Sequence, residues 1–232
     1  MRATIWRAFL RLRFLLWQRR RHETLVLERI LGIPLVVLPG VFNPTLFRIT
    51  PVLLDYLRKR PPDQPGAILD LGTGTGVLAV AAAEFGHRVV ATDIDPEAVR
   101  CARINVLLND LAERVDVRQG DLFEAVSGER FDLVVANPPY YSGEPSSRAE
   151  RAFRAGDFPQ RFAEGLGDHL QPDGTALVVL SSDGIADLFI GCLEGEGFRV
   201  DIAASRDLIS EVATVYRVTR LRTASGEPRD PA

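Results

Sequence analysis

The sequence predicts an α/β fold: a doubly wound, mostly parallel seven-stranded sheet closed by an antiparallel C-terminal hairpin, with a small helix and hairpin in front. Three observations predict it. From residue 67 onward, short apolar β-type runs alternate with stretches of helical periodicity, as right-handed crossovers require. The first run, Ala67–Leu71, passes into Gly72-Thr73-Gly74-Thr75-Gly76 and then into an alanine-rich helix. The last two runs, 198–203 and 212–221, leave no room for a crossover helix and must pair antiparallel at the sheet's edge.

The elements follow in order. Residues 3–20 alternate apolar and basic at helical spacing, with Ile5, Phe9, Leu12 and Leu16 on one face and Trp6 and Phe14 at its edges. This segment reads either as a helix packed on the domain with solvated arginines, or as an arm that meets a substrate or a membrane surface. Residues 24–28 and 33–38 are two β-type runs that can form a hairpin. Pro39-Gly40 breaks the pattern. A mixed aromatic and polar stretch, 41–50, leads into a short helix over 51–60, with Thr50 as N-cap and Pro51 at the first helical position. Residues 61–66, Pro-Pro-Asp-Gln-Pro-Gly, form a linker.

Beyond it, strands are expected at Ala67–Leu71, 88–92, Val115–Gln119, Phe131–Ala136 and 175–181. Helices are expected at 77–85, 96–109, 158–170 and 185–196; Asp95-Pro96 is a strong helix start, and Gly86 and Gly197 are stops. A Gly/Ser/Pro/Arg-rich loop spans 141–148, and the polar tail 223–232 reads as disordered.

Composition narrows the class. With 46% hydrophobic and 25% charged residues, the 232-residue chain has the balance of a globular domain able to bury a sizeable core. No run of 18 apolar residues exists, so no transmembrane helix is expected. Cys101 and Cys192 are far apart, with no metal-ligand spacing and no disulfide framework, so a reducing cytoplasm is the expected setting. Residues 1–22 carry seven arginines and no acid, while the remainder holds 21 basic and 31 acidic residues, a net charge of −10. The acidic body argues against non-specific nucleic-acid binding by the domain itself, though not by the basic arm. That arm resembles a transit peptide in composition, whereas Arg7, Arg11 and Arg13 interrupt any secretory apolar core.

The chemistry sits at strand ends. Gly72, Gly74 and Gly76 let a backbone turn sharply and approach a ligand closely, but such turns serve several nucleotides. Asp70, ahead of the glycines, would repel a pyrophosphate and suit a cationic or amino-bearing ligand, and no P-loop lysine is present. Asp93, about twenty residues further on at the next strand end, suits the two hydroxyls of a ribose. Asp121, after the third strand, suits an adenine amino group, with Leu122 or Phe123 against the ring. Each aspartate taken singly is equally a loop or helix cap. Asn137-Pro138-Pro139-Tyr140 follows a buried strand, and two prolines there fix the backbone. The Asn137 oxygen and the Pro138 carbonyl are two acceptors able to hold the N–H groups of a planar nitrogen, and Tyr140 can stack on it.

These residues resemble the class I S-adenosylmethionine-dependent methyltransferases over 67–221, with the Asn-Pro-Pro-Tyr motif of the HemK-like, "methyltransferase small domain" type. The resemblance implies a Rossmann-like fold and S-adenosyl-L-methionine as cofactor. Cofactor contacts implied by position are Asp70, Gly72, Thr73, Gly74, Gly76, Asp93, Ile94, Asp121, Leu122 and Asn137. Catalytic residues implied are Asn137, Pro138 and Tyr140, and substrate contacts are Phe42, Thr50, Pro139 and Tyr141. The implied activity is N-methylation of a planar nitrogen, a protein glutamine amide first, with an RNA or DNA base amine or a small-molecule nitrogen as alternatives. The implied organisation is a basic helix, hairpin and substrate-side lid over 1–60, a methyltransferase domain over 61–222 and a tail over 223–232. Release-factor glutamine methyltransferases carry a separate helical substrate domain; here a basic helix and a hairpin stand in that place. His22, His87 and His169 read as structural or exposed, and Cys101 as a small core residue. Arg148, Arg151 and Arg154 read either as contacts to an acidic substrate or as a solvated face.

Overall fold

The computed structural model describes residues 24–61, 66–85, 87–139, 156–209 and 211–221. The basic segment 3–20, loop 141–148 with Arg151 and Arg154, and tail 223–232 lie outside the described residues.

Strands β1 (Val26–Ile30) and β2 (Ile33–Val37) pair antiparallel as a separate two-stranded sheet. Their two-residue turn puts Leu31 at φ 46° and Gly32 at φ 94°, the left-handed geometry that matches the twist of a hairpin. Helix α1 (Thr50–Lys59) follows, then β3 (Ala67–Leu71), α2 (Val77–Glu84), β4 (Arg88–Asp93), α3 (Pro96–Leu108), β5 (Val115–Gln119), a short 3-10 turn at Glu124–Val126 and β6 (Phe131–Ala136). The chain continues through α4 (Phe158–His169), β7 (Leu170–Ser181), α5 (Ala186–Gly195), β8 (Phe198–Asp207) and β9 (Val212–Arg220).

The seven-stranded sheet has the order β5-β4-β3-β6-β7-β9-β8. Strands β3 to β7 pair parallel, and β9 pairs antiparallel with both β7 and β8. The doubly wound sheet and its antiparallel terminal hairpin are therefore present. Two strands run longer than the sequence pattern indicates. β7 starts at Leu170 rather than residue 175, because Leu170 pairs with Phe131 before the register shifts around Pro172–Gly174. β8 continues to Asp207 through an irregularity between Ile202 and Ala204.

Side-chain alternation divides the core in two. Ile68, Leu133, Leu177 and Val215 face α1, α2 and α3, whereas Leu69, Val134, Val178 and Val218 face α4 and α5. Helix α2 is buried from Val77 to Ala83, and its alanines allow the close approach that a helix covered on several sides needs. Asp95 caps α3 by accepting from the Glu97 N–H, with Pro96 in the first turn. Cys101 is fully buried, and its Sγ donates to the Val36 carbonyl.

Thr50 does not cap α1, contrary to the sequence reading. Ile49 holds the cap position with no side-chain bond, and Thr50 is the first helical residue. Its hydroxyl accepts from Asn137, just beyond β6, instead. Among the described residues no helix is long and apolar enough to cross a membrane.

Candidate active site

Strand order reverses between β3 and β6, and a cleft opens beyond the carboxyl ends of β3, β4, β5 and β6. Gly72, Thr73 and Gly74 form its floor. Asp93 and Ile94 come from the end of β4, Asp121 and Leu122 from beyond β5, and Asn137, Pro138 and Pro139 from the end of β6. Phe42, Pro44 and Thr50 close the cleft from the N-terminal side. Residues more than ninety positions apart in the chain, such as Phe42 and Pro139, thus meet in one place. Tyr140 and Tyr141 lie outside the described residues.

Gly72 and Gly74 have φ of 72° and 56°, and a Cβ built on either would meet nothing within 4 Å. The space over both is cleft, so the bare backbone is the ligand-facing surface. The N–H groups of Gly72 and Thr73 both donate to the Thr92 carbonyl, Gly74 N–H donates to Asp93, and Gly76 N–H donates to the Thr73 carbonyl. The turn spends these donors on the protein, unlike a loop that cradles phosphate.

Asp70 and Gly76 are not among the residues that line the cleft. Asp70 shares the strand face of Ile68, so its side chain points beneath α2. Its Oδ2 accepts from Thr73 Oγ1 at 2.6 Å and from Ala79 N–H at 3.0 Å, in the first turn of α2. The carboxylate therefore ties the glycine turn to a helix start that has no cap of its own. Burial pushes its carboxyl up to about 7, with the two hydrogen bonds acting in the opposite direction. A Cβ on Gly76 would lie 3.1 Å from Ala102 Cα and Cβ, so that glycine lets α2 and α3 approach.

Asp93 stands in the cleft with each oxygen held: Oδ2 accepts from Gly74 N–H and Oδ1 from Asp95 N–H, both at 2.9 Å. Burial raises its carboxyl, and these backbone bonds counter the rise. Each oxygen keeps lone-pair capacity for a diol. Asp121 also lines the cleft, but Arg161 on α4 donates to its Oδ2 at 2.7 Å. Leu122 faces the cleft with φ 49°, a left-handed backbone that costs an L-residue energy. Phe123 does not share the cleft; it is buried and stacks on His169 with centroids 4.6 Å apart. Ile94 is 41% exposed, a large apolar side chain open to the cleft.

Pro138 is buried, and Asn137 and Pro139 are half-buried. Asn137 Nδ2 donates to Thr50 Oγ1 at 2.9 Å. Phe42 stacks on Phe47 with centroids 4.7 Å apart, giving the N-terminal wall an aromatic surface. Sequence reading missed the Arg161–Asp121 pair and the Thr50–Asn137 bond. Neither has a local signal, since the partners are 40 and 87 residues apart.

Comparison with known proteins gives a consistent account. The sequence model of the methyltransferase small domain matches residues 32–187. A putative protein N5-glutamine methyltransferase of Methanocaldococcus jannaschii is 31% identical over 202 residues, covering 82% of this chain and 97% of that relative. A ribosomal protein L11 methyltransferase of Desulfitobacterium hafniense is 56% identical over 70 residues; the match covers 30% of this chain and spans only 22% of the relative's length. Among solved structures, a 16S rRNA N2 G1207 methyltransferase of T. thermophilus, in complex with AdoMet and guanosine, superposes with a TM-score of 0.62 at 25% identity, covering 85% of this chain and 50% of that one. The cleft suits such a cofactor: the space over Gly72 and Gly74 is open, Asp93 stands beside it with lone-pair capacity to spare, and apolar Ile94 and Leu122 offer surface to a flat ring.

Proposed function

The chain belongs to the methyltransferase small-domain family, whose cofactor is S-adenosylmethionine, and from that premise we propose that it methylates a planar nitrogen, a protein glutamine side-chain amide. The observation that carries this reading is the Asn137-Pro138 turn, fixed at the end of β6 and opening on the same cleft as Gly72, Gly74 and Asp93.

An amide nitrogen is a poor nucleophile because its lone pair is delocalised. A site must therefore orient it and stabilise the charge that builds on it. Asn137 Oδ1 and the Pro138 carbonyl accept the two N–H groups and aim the lone pair into the cleft. Tyr140 packs on the planar group, and Phe42 and Pro139 flank the chain that carries it. Gly72, Thr73 and Gly74 receive the methionine part of the cofactor, Asp93 the ribose, and Ile94, Asp121 and Leu122 the adenine. Bound there, S-adenosylmethionine would supply a methyl group on a positively charged sulfur: the N–C bond would form as the S–C bond breaks, neutral S-adenosylhomocysteine would be the leaving group, and the amide would give one proton to solvent. The acidic lining of the cleft suits that positive charge.

The M. jannaschii relative, matched along nearly its whole length and named for N5-glutamine methylation, favours glutamine. A second reading, a nucleobase amine, has support from the guanosine-bound structural neighbour and from the seven arginines of residues 1–22. Its mark is steep salt dependence of substrate binding that disappears with those residues. The test is to treat an extract lacking this protein with labelled S-adenosylmethionine and the purified chain, then map the label. Peptides carrying N5-methylglutamine support the proposal, and label confined to nucleic acid overturns it in favour of the second reading.

A further inference from the structure

Among the described residues, an apolar face stays open to solvent where the β1–β2 hairpin meets α3. Leu25 and Leu27 are 56% and 76% exposed, and Leu107 and Leu108 on α3 are 65% and 46% exposed. These residues belong to one surface. Leu27 pairs with Val36 across the hairpin, so both side chains share its outward face, and alternation adds Leu25. Val36 and Ile104 on α3 are half-buried against the same cluster, around Cys101. The edge of β2 is fastened to α3. Asn105 exchanges hydrogen bonds with the Val36 N–H and carbonyl, and Asn109 donates to the Pro34 carbonyl. Leu107 and Leu108 follow Ile104 by three and four residues and continue its face of the helix. An apolar strip thus runs from Leu25 and Leu27 over Val36 to Ile104 and the two leucines beyond it.

We propose that residues 3–20 of this same chain cover the strip, docking as an amphipathic helix with Ile5, Phe9, Leu12 and Leu16 against it. Three features select this occupant. Residues 21–24 alone separate the segment from Leu25, so the tether holds it beside the strip at roughly millimolar effective concentration. The lengths agree: Ile5 to Leu16 covers about 16 Å of helix, as do the five-residue strands of the hairpin at about 3.3 Å per residue. The charges agree as well. Seven arginines in residues 1–22 meet a body of net charge −10, and the arginines beside the strip are engaged, Arg29 with the Gly32 carbonyl and Arg100 with Glu97. With the apolar stripe turned inward, the arginines of the segment keep their charged ends in water. The basic segment is then part of the domain surface.

The test uses the intact chain. Trp6 and Trp17 are its two tryptophans, so selectively excited tryptophan emission reports on this segment alone. In a helix both lie on one flank of the Ile5–Leu16 stripe. Docking is expected to shift emission to the blue of the denatured chain and to lower acrylamide quenching several-fold, independently of protein concentration. Leu27→Lys and Leu107→Lys place a cation at positions already open to solvent and repel the arginine-rich segment. Each is expected to return quenching most of the way to the denatured value while thermal unfolding stays cooperative. Phe9→Lys is expected to do the same and to add nothing on top of Leu27→Lys, since the contact is already lost. Leu188→Lys, on α5 and 56% exposed away from the strip, is the control and should leave emission unchanged. Tryptophans as open to quencher in the native as in the denatured chain would overturn the proposal. So would unmoved quenching in Leu27→Lys and Leu107→Lys, or an equal change in Leu188→Lys. Shielding that fades on dilution, the mark of a second copy, or that appears only with anionic vesicles or RNA would overturn it too.

Discussion

Replacing Gly74 by alanine separates what the glycine turn does for the fold from what it does for the ligand. Gly74 has φ 56°, within the left-handed region, and its missing Cβ would meet no protein atom within 4 Å. The protein-side cost is therefore backbone strain alone, about 1 kcal/mol, or a fall in melting temperature of about 2–4 °C for a chain of this size. The added methyl group projects into the cleft, where the cofactor is proposed to lie against bare backbone. S-adenosylhomocysteine affinity is then expected to fall by roughly tenfold or more, at least about 1.4 kcal/mol. Calorimetric titration alongside a thermal melt reads both quantities on one preparation. Gly76→Ala is the control. Its φ is 80°, and its Cβ would press on Ala102 at 3.1 Å, so overpacking adds about 1–3 kcal/mol to the strain. That variant is expected to lose more stability and proportionately less affinity, and Ala102→Gly, which removes the Cβ and leaves the Cα at 3.1 Å, should relieve only part of the loss. Unchanged affinity in a folded Gly74→Ala protein would refute the cofactor placement.

Other outcomes follow from the same geometry. Burial holds the Asp70 carboxyl near 7, above its unfolded value of 3.8, so the folded protein binds this proton more tightly than the unfolded chain. Its contribution to stability is full below pH 3.8 and is lost as pH rises toward 7, about 2–3 kcal/mol between pH 5 and pH 8. Urea denaturation at the two pH values should show that slope in the wild type and lose it in Asp70→Asn; equal slopes would show that Asp70 is not the group responsible. Leu122→Gly removes the left-handed strain at φ 49°, so stability should hold or rise by up to about 1 kcal/mol while S-adenosylhomocysteine binding weakens through loss of the apolar wall. Equal affinity in that variant would remove Leu122 from the adenine site.

Distance along the chain separates what was legible in the sequence from what was not. Strand ends, the glycine turn and the closing hairpin were legible because period-2 runs, glycines and connection lengths are local signals. The meeting of Gly72–Gly74, Asp93, Asp121 and Asn137 was legible because a parallel sheet brings its carboxyl ends together. Alternation puts Asp70 on the Ile68 face, under α2, where it accepts from Thr73 and Ala79, and a strand-end position alone does not register that. The choice between Leu122 and Phe123 depended on a single left-handed residue that sends Phe123 into the core against His169. The two unforeseen contacts, Arg161 with Asp121 and Thr50 with Asn137, join different helices to the sheet. Both arise from tertiary packing, and nothing in the intervening sequence encodes them separately.

The most direct test of the central claim is methyl transfer by Asn137→Ala, measured at saturating S-adenosylmethionine against the wild-type rate, with S-adenosylhomocysteine affinity read in parallel. If Asn137 holds the acceptor nitrogen, turnover falls by about a hundredfold, the scale of removing one group aimed at developing charge, while affinity for S-adenosylhomocysteine is retained. Turnover at the wild-type level in a variant that binds the cofactor normally would contradict the account.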